Sequence, residues 1–399
     1  MPTPNLVVPP CATPSALDAL LRSVGRGQAR NESVASTLAP AMHPDDVLAQ
    51  VDDVMRRMPP EEVPDPEAFR CALNTLLREG EGALRRYASA PGADRSPNDR
   101  AALEAIIRVD GTRPSLLLRD GRANPDHPLA KDWADTLRTC GDLVCERAMS
   151  VGLVGATDPA KQRDYYGTAW MAEAGRGLAL TNLHVLLELR AELPHLFKAG
   201  DTQDRFRVRP GVTVDFSRES NRLNRPPFRV VEAEASGIEG LGFGRLDLAT
   251  LRLEPTEAGQ AIPAAIPLVA DLDVANGARD MCVIGYPGPP DDFTTADGRV
   301  DWGWVVRTLF GSTFGVKRLA PGRSFRNPGK LPGDARAWVF GHDATTLGGS
   351  SGSLVMDWQT TGAAVGIHFA GSTLDTNVAH ALSRCRERIE ALGVPVRDA

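Results

Sequence analysis

Residues 346–357 read TLGGSSGSLVMD, three serines within four positions set among glycines. Two glycine frames in it suit an exposed nucleophile: Gly348-x-Ser350-x-Gly352 centres on Ser350, and Gly349-Ser350-Ser351-Gly352-Ser353 centres on Ser351. The first frame works as a strained turn between a strand and a helix, inside a fold of alternating strands and helices. Here the chain continues instead through SLVMD and a polar turn at DWQTTG into AAVGIHFAG. Two β-type runs joined by a turn make a β-hairpin, which removes the structural setting that Ser350 needs. The domain around this stretch is therefore expected to be antiparallel and all-β.

The same texture runs through the second part of the chain. From about residue 151, short runs such as GLALTN, RVRPGVTVDF, FRVVEAE, LDLATLRL and MCVIGYPG are punctuated by Gly, Pro and Asp, as in an antiparallel sandwich or a pair of barrels. The ending NVAHALSRCRERIEALG reads as a closing helix. The first part differs. DDVLAQVDDVMRRM (45–58) and PEAFRCALNTLLREGEGALRRYAS (66–89) space their apolar residues three and four apart, with Pro before and Pro or Gly after, as in a helical bundle. Breaks rich in Pro, Gly and Asp at 90–99 and 119–128 precede one more helical stretch, LAKDWADTLRTCGDLVCERAM (129–149). The expected organisation is an α-helical domain over residues 1–150 and an all-β domain over residues 151–399.

Composition sets limits on function. A chain of 399 residues has room for two or three domains, and its 42% hydrophobic and 24% charged residues are ordinary for a globular protein. A net charge of -6 gives no basic footprint for nucleic acid. The start, MPTPNLVVPPCATPS, lacks the basic and then apolar pattern of a secretory signal, and no run approaches the roughly 18 apolar residues of a membrane span. A cytoplasmic protein without membrane contact is expected. The six cysteines, at 11, 71, 140, 145, 282 and 385, form no C-x-x-C pair, and no histidine flanks Cys140 and Cys145 at ligand spacing. Reduced thiols are expected, with no metal and no cofactor.

A serine hydroxyl is a weak nucleophile until a base takes its proton, and the base needs a third group to fix its tautomer. Of seven histidines, His184 lies in LALTNLHVLLE, where a β-type run ends in a polar turn just before it. Asp247, in FGRLDLATLRL, shares strand parity with Ala249, Leu251 and Leu253, so its side chain is expected to point inward. A carboxylate buried there needs a hydrogen-bonded partner.

In chain order, GTAWMAEAGRGLALTNLHV, DLATLRL, VIGYPG, GGSSGSLV and GIHFAG resemble segments of the trypsin-like serine proteases, most closely the bacterial glutamyl endopeptidase branch. The order His184, Asp247, Ser351 is that of the chymotrypsin-like triad, and it selects Ser351 over Ser350. The resemblance implies two antiparallel Greek-key β-barrels with a C-terminal helix. It also implies a serine endopeptidase in which Ser351 attacks the peptide carbonyl, His184 carries the proton and Asp247 orients the ring. The amides of Gly349 and Ser351 would form the oxyanion hole, with Gly348 and Gly349 free to turn and Gly352 and Ser353 keeping the far side small. Ser350 fills the slot where proteases activated by cleavage carry an aspartate, and no cysteine stands where secreted trypsins form disulfides. Activation by a new N-terminal amine is not expected.

Thr345 stands six positions before Ser351, where trypsin has the aspartate that selects Lys and Arg, so a basic preference is not supported. Thr346 and His368 match the residues that bind the substrate carboxylate in the glutamyl branch, and both can donate to an acid. The alternative for His368 is a place in the barrel wall. Between His184 and Asp247 the segment LLELRAELPHLFKAGDTQDRFRVRP exceeds what a compact bacterial enzyme needs, and is a candidate lid, exosite or contact with the N-terminal region. The expected partners are a protein or peptide substrate and a protein bound by the N-terminal region as adaptor or regulator. The layout resembles bacterial proteins of defence or signalling systems that place a small helical module before a trypsin-like domain. Two other functions compete: a catalytically silent protease-like scaffold, and a serine esterase centred on Ser350. Presence of the whole triad weighs against the first, and against the second Asp375 and His380 lie too close together on one segment.

Overall fold

The computed structural model describes residues 44–62, 113–156, 165–200, 204–220, 225–236, 246–270, 279–288, 313–331, 334–346, 349–371 and 377–398, together with a few isolated positions between 67 and 85. Helix α1 (Pro44–Arg56) is followed by the hairpin β1 (Leu116–Arg119) and β2 (Arg122–Ala123), then helix α2 (Ala134–Ala148). The next group is β3 (Val151–Ala156), β4 (Tyr165–Glu173), β5 (Leu178–Thr181), α3 (Leu183–Glu192), β6 (Phe197–Ala199), β7 (Arg205–Val208), β8 (Val212–Asp215), β9 (Phe228–Ala235) and β10 (Ala249–Glu254). The last is β11 (Asp280–Gly285), β12 (Arg318–Arg326), β13 (Val339–His342), β14 (Leu354–Met356), β15 (Ala364–Gly371), β16 (Asn377–Ala381) and helix α4 (Arg386–Ala391).

The strands close into two antiparallel barrels. In the first, the order β10-β5-β4-β3-β8-β9 is completed by a ladder between β9 and β10. In the second, β11-β14-β15-β16-β13-β12 is completed by β11 against β12. Each barrel has six strands in its closed ring, and each carries a hairpin on one strand: β6–β7 extends β9, and β1–β2 extends β12. This pair of closed six-stranded antiparallel barrels is the architecture of the chymotrypsin fold.

Strand parity explains why the apolar runs lack clean alternation. Along β4, Ala169 and Met171 fill the first barrel, while Trp170 and Ala172 point into a layer between the barrels. Along β11, Met281 and Val283 fill the second barrel, while Cys282 and Ile284 face the same layer. Strands buried on both faces read as continuous apolar runs. Each large side chain so buried stabilises by about 1.5–3 kcal/mol relative to exposure.

That layer also holds Leu116, Leu118, Trp133, Leu137 and Val144 from the hairpin and α2, with the Trp133 and Trp358 rings 5.8 Å apart. The core is therefore continuous across residue 150. DDVLAQVDDVMRRM forms α1 over most of its length, and most of 66–89 lies outside the described residues. RDGRANPDHP, read as a break, supplies the turn and second strand of a hairpin, with Asp120 and Gly121 at φ 51° and 75°. At the other end, Asn377–Ala381 is a strand that closes the second barrel, and α4 begins only at Arg386. Its apolar residues suit a slot between β13 and β15 better than a surface helix.

A buried ion pair joins these parts. Lys317 donates to the carbonyls of Ala148 (2.7 Å) and Phe216 (2.9 Å) and pairs with Glu219 at 3.2 Å, both side chains 0% exposed. The other oxygen of Glu219 accepts the Gly121 N–H at 2.9 Å. Removing one partner of such a pair costs about 3–5 kcal/mol, so hairpin and barrels are held as one body.

Candidate active site

Strand β5 ends at Thr181, and α3 begins two residues later, which places His184 in the first helical turn at the edge of the first barrel. Asn182 is the N-cap, at φ -81° and ψ 149°, but its amide does not cap the helix; it donates to the Asp247 carbonyl at 2.9 Å. Asp247 precedes β10 and is buried. Its Oδ1 accepts the His184 backbone N–H at 2.9 Å, and its Oδ2 lies 2.6 Å from His184 Nδ1. A carboxylate that grips both backbone and ring fixes the imidazole plane, and leaves Nε2 as the nitrogen open to a proton. Burial alone would push the Asp247 carboxyl up, but the charge of His184 and its hydrogen bonds outweigh it and hold the group below the usual carboxylate range.

The serine loop is tied to the same strand pair. The Thr168 N–H donates to the Ser351 carbonyl at 2.8 Å, and the Thr168 carbonyl accepts from Thr181 Oγ1 at 2.8 Å, three residues before His184. Thr168 Oγ1 accepts from the Tyr286 N–H at 3.1 Å and lies 3.4 Å from the Gly349 carbonyl. Gly349 (φ 83°) and Gly352 (φ 85°) are both left-handed, and a Cβ on Gly349 would stand 2.9 Å from the Gly288 nitrogen. Glycine is required at both places. Ser350 is buried at 4% exposure, whereas Ser351 is partly open.

His368 is bound to this loop by its backbone: its carbonyl accepts the Gly352 N–H at 2.8 Å, and its N–H donates to the Ser353 carbonyl at 3.0 Å. Its ring is buried, with Nδ1 3.2 Å from Nε2 of His342. Thr346 is buried on the approach to the serine loop; Leu347 and Gly348 lie outside the described residues. Thr345 donates its hydroxyl to the Arg113 carbonyl at 2.6 Å. Among the described residues no group of three or more His, Cys, Asp or Glu is gathered to hold a metal ion, and no helix is long and apolar enough to cross a membrane.

Four residues of this site were not singled out for these roles by the sequence. Thr168, Asn182 and His342 sit within or at the ends of apolar runs and meet the site through hydrogen bonds to residues distant in sequence, which leave no spacing signature. His380, the histidine that an esterase would pair with Asp375, instead accepts the Asp247 backbone N–H on Nε2 at 3.0 Å, with its ring stacked on Phe369. Asp375 lies outside the described residues. Every ladder between the named strands is antiparallel, which excludes the alternating βα fold that an elbow at Ser350 requires.

Burial sets the titration of these histidines. It lowers His342 to about 3 and His380 to about 4, the latter against partial support from Asp247 and Asp334, and it carries His368 well below the usual imidazole range with help from His342 and His184. All three are neutral at pH 7. Below about pH 6.5 the unfolded chain binds protons that the folded rings refuse, so stability falls as pH falls, on the order of 2 kcal/mol each for His342 and His380 by pH 5, with His368 acting in the same direction. Urea unfolding at pH 7, 6 and 5 is expected to show this decline, and His380→Gln, which keeps an acceptor for Asp247, to make it shallower. A flat wild-type profile contradicts neutral buried rings.

With fold and geometry in hand, comparison with known proteins places the chain. The family model of the trypsin-like peptidase domain matches residues 167–367. A Lysobacter enzymogenes protein named "Probable serine protease" is 34% identical over 365 residues, covering 90% of this chain and 91% of that one. Among solved structures, the active form of the Mycobacterium tuberculosis protease Rv3671c has a TM-score of 0.35 at 20% identity, covering 64% of this chain and 86% of that one. The Vibrio cholerae VesB protease has a TM-score of 0.38 at 12% identity, covering 60% and 62%. On the family match and the near full-length relative, the chain belongs to the trypsin-like peptidase family, the serine endopeptidases.

Proposed function

We propose that the chain is an active endopeptidase that works through Ser351, His184 and Asp247. The observation that carries this is the double grip of Asp247 on His184, at 2.9 Å on the backbone and 2.6 Å on the ring. Ser351 attacks the scissile carbonyl, His184 Nε2 takes its proton, and the tetrahedral oxyanion is met by the amides of Gly349 and Ser351. The proton then passes to the leaving amine, an ester forms on Ser351, and water repeats the cycle. Asp247 keeps its charge throughout and stabilises the imidazolium.

The favoured substrates are peptides with an acidic residue before the scissile bond, recognised by Thr346 and His368. With His342 Nε2–H donating to His368 Nδ1, the far nitrogen of His368 is an N–H donor. Because both rings are neutral, the carboxylate meets a directed dipole instead of a cation, which favours Glu and Asp over Gln and Asn by the charge assistance of one hydrogen bond, roughly five- to tenfold. The buried, free Cys140, Cys282 and Cys385 suit a reducing compartment, and the region before the barrels is proposed to bind a protein partner that directs or restrains the enzyme, as in a bacterial defence or signalling system.

A peptide library cleaved by the full chain tests the substrate class. Cleavage after Glu and Asp is expected, with Ser351→Ala as the inactive control. Cleavage chiefly after Ala, Val or Leu removes the role given to His368 and Thr346, and no cleavage beyond the Ser351→Ala background favours the silent scaffold.

A further inference from the structure

The loop that leads from β13 into the serine turn is gripped from behind by a residue far upstream. Arg113 stands three positions before β1, and its guanidinium donates to Asp343 Oδ2 at 2.6 Å, with side-chain exposures of 12% and 10%. Its carbonyl accepts the Thr345 hydroxyl at 2.6 Å. One residue thus holds both ends of Asp343-Ala344-Thr345, the three residues that run into Thr346. The grip is backed on each side. Asp343 Oδ1 accepts the Arg323 N–H at 2.6 Å, the Ala344 carbonyl accepts from Asn377 Nδ2 at 2.6 Å, and the guanidinium lies 5.8 Å from the Trp133 ring centroid. The segment bearing Arg113 is itself fixed, since Leu116 and Leu117 pair with Leu319 and Arg318, and Arg318 donates to the Ser115 carbonyl at 2.8 Å.

Resting on the peptidase reading, we infer that Arg113 is a positioning residue for the specificity loop, and that the segment before the barrels completes the substrate site. Three features point this way. The Thr345 hydroxyl, at the slot that selects the substrate side chain in the trypsin-like resemblance, is turned to Arg113 and so fixes the loop. Ser350, where an activation acid would stand, offers no charge for a new N-terminal amine to order the loop. And Arg113 lies upstream of the residues 167–367 that match the family domain, so this chain supplies from outside that domain a cation for a loop inside it. A charge pair this poorly exposed is screened little by salt or water, and a loop held in one geometry binds substrate without an ordering cost.

The test is steady-state cleavage of one peptide by the full-length chain and its variants. Arg113→Ala is expected to raise KM roughly tenfold while kcat falls less than about threefold, because a loosened pocket weakens binding more than chemistry. Asp343→Asn should reproduce this, the double variant should be no worse than the weaker single, and Arg113→Lys should recover most of the loss. Hydrogen exchange at residues 343–346 should quicken in Arg113→Ala. Wild-type KM in Arg113→Ala overturns the inference. So does a loss that Arg113→Lys does not recover and that tracks a fall in Tm. If Arg113→Ala shows no cooperative melt, Thr345→Val, which removes only the hydroxyl bond, decides: raised KM at unchanged Tm supports the positioning role, and unchanged KM overturns it. A wild type that neither labels with a fluorophosphonate nor cleaves peptide overturns the peptidase reading itself, whereas failure of the Arg113 role leaves wild-type activity intact.

Discussion

Ser351→Ala is expected to abolish labelling by a fluorophosphonate and to cut peptide cleavage by about 10⁵–10⁶, while Ser350→Ala labels within a few-fold of wild type. The two serines are neighbours in sequence, but their surroundings differ. Ser350 is buried at 4% exposure between left-handed Gly349 and the turn, so its hydroxyl is closed to a reagent from solvent. Ser351 is partly open, and its carbonyl is pinned by Thr168, which in turn is pinned by Thr181 at the end of the strand that delivers His184. The size of the expected loss comes from the way a triad acts: without the hydroxyl, the base has no proton to take and the acyl-enzyme has no atom on which to form. Mass spectrometry of the labelled protein should place the adduct on Ser351. An adduct on Ser350, or labelling that survives Ser351→Ala and is lost in Ser350→Ala, transfers the chemistry to the other serine and removes the mechanism proposed above.

The sequence carried the second half of the fold well because its signals are local. Apolar runs and turn residues in VIGYPG, SLVMD and AAVGIHFAG arise from strands with one face in a barrel and the other in the layer between, and Asp247, expected to point inward, is buried just before β10, where Leu246 and Leu248 are buried as well. What stayed hidden depends on contacts between distant segments. The β1–β2 hairpin was illegible because RDGRANPDHP has the composition of any exposed break, and its strand character comes from pairing with β12 about two hundred residues later. The strand Asn377–Ala381 was read as helix because VAHAL fits either period over so short a run, and only the open edges of β13 and β15 decide it. In the site, the glycines and the triad candidates had spacing or order to betray them. Thr168, Asn182, His342 and His380 reach the site by hydrogen bonds from the middle of apolar strands or a strand end, and a single polar residue there looks the same whether it serves a site or only satisfies a core.

Asp247→Asn is expected to lower kcat by about 10⁴ with little change in KM or in the melting temperature. The side chain is nearly isosteric, and the surrounding anchors stay in place: Asn182 still donates to the backbone carbonyl at 247, and His380 still accepts its N–H. What changes is the partner offered to the ring. In the wild type both carboxylate oxygens accept, one from the His184 backbone and one from Nδ1 at 2.6 Å, so the ring holds its proton on Nδ1 and offers Nε2 as base. An amide that keeps its oxygen on the His184 N–H turns its NH2 toward Nδ1, which must then accept. The proton moves to Nε2, and the face toward the nucleophile can no longer take one. Asp247 is held below its ordinary value chiefly by His184, so the carboxylate stays charged as pH falls through the usual carboxyl range. The grip of Asp247 on His184 also contributes stability above the carboxyl's ordinary range and loses it only as pH drops through the depressed value. A variant that keeps a tenth or more of the wild-type kcat at pH 7 shows that His184 does not draw its tautomer from Asp247, and the triad fails at its third member even if Ser351 labels.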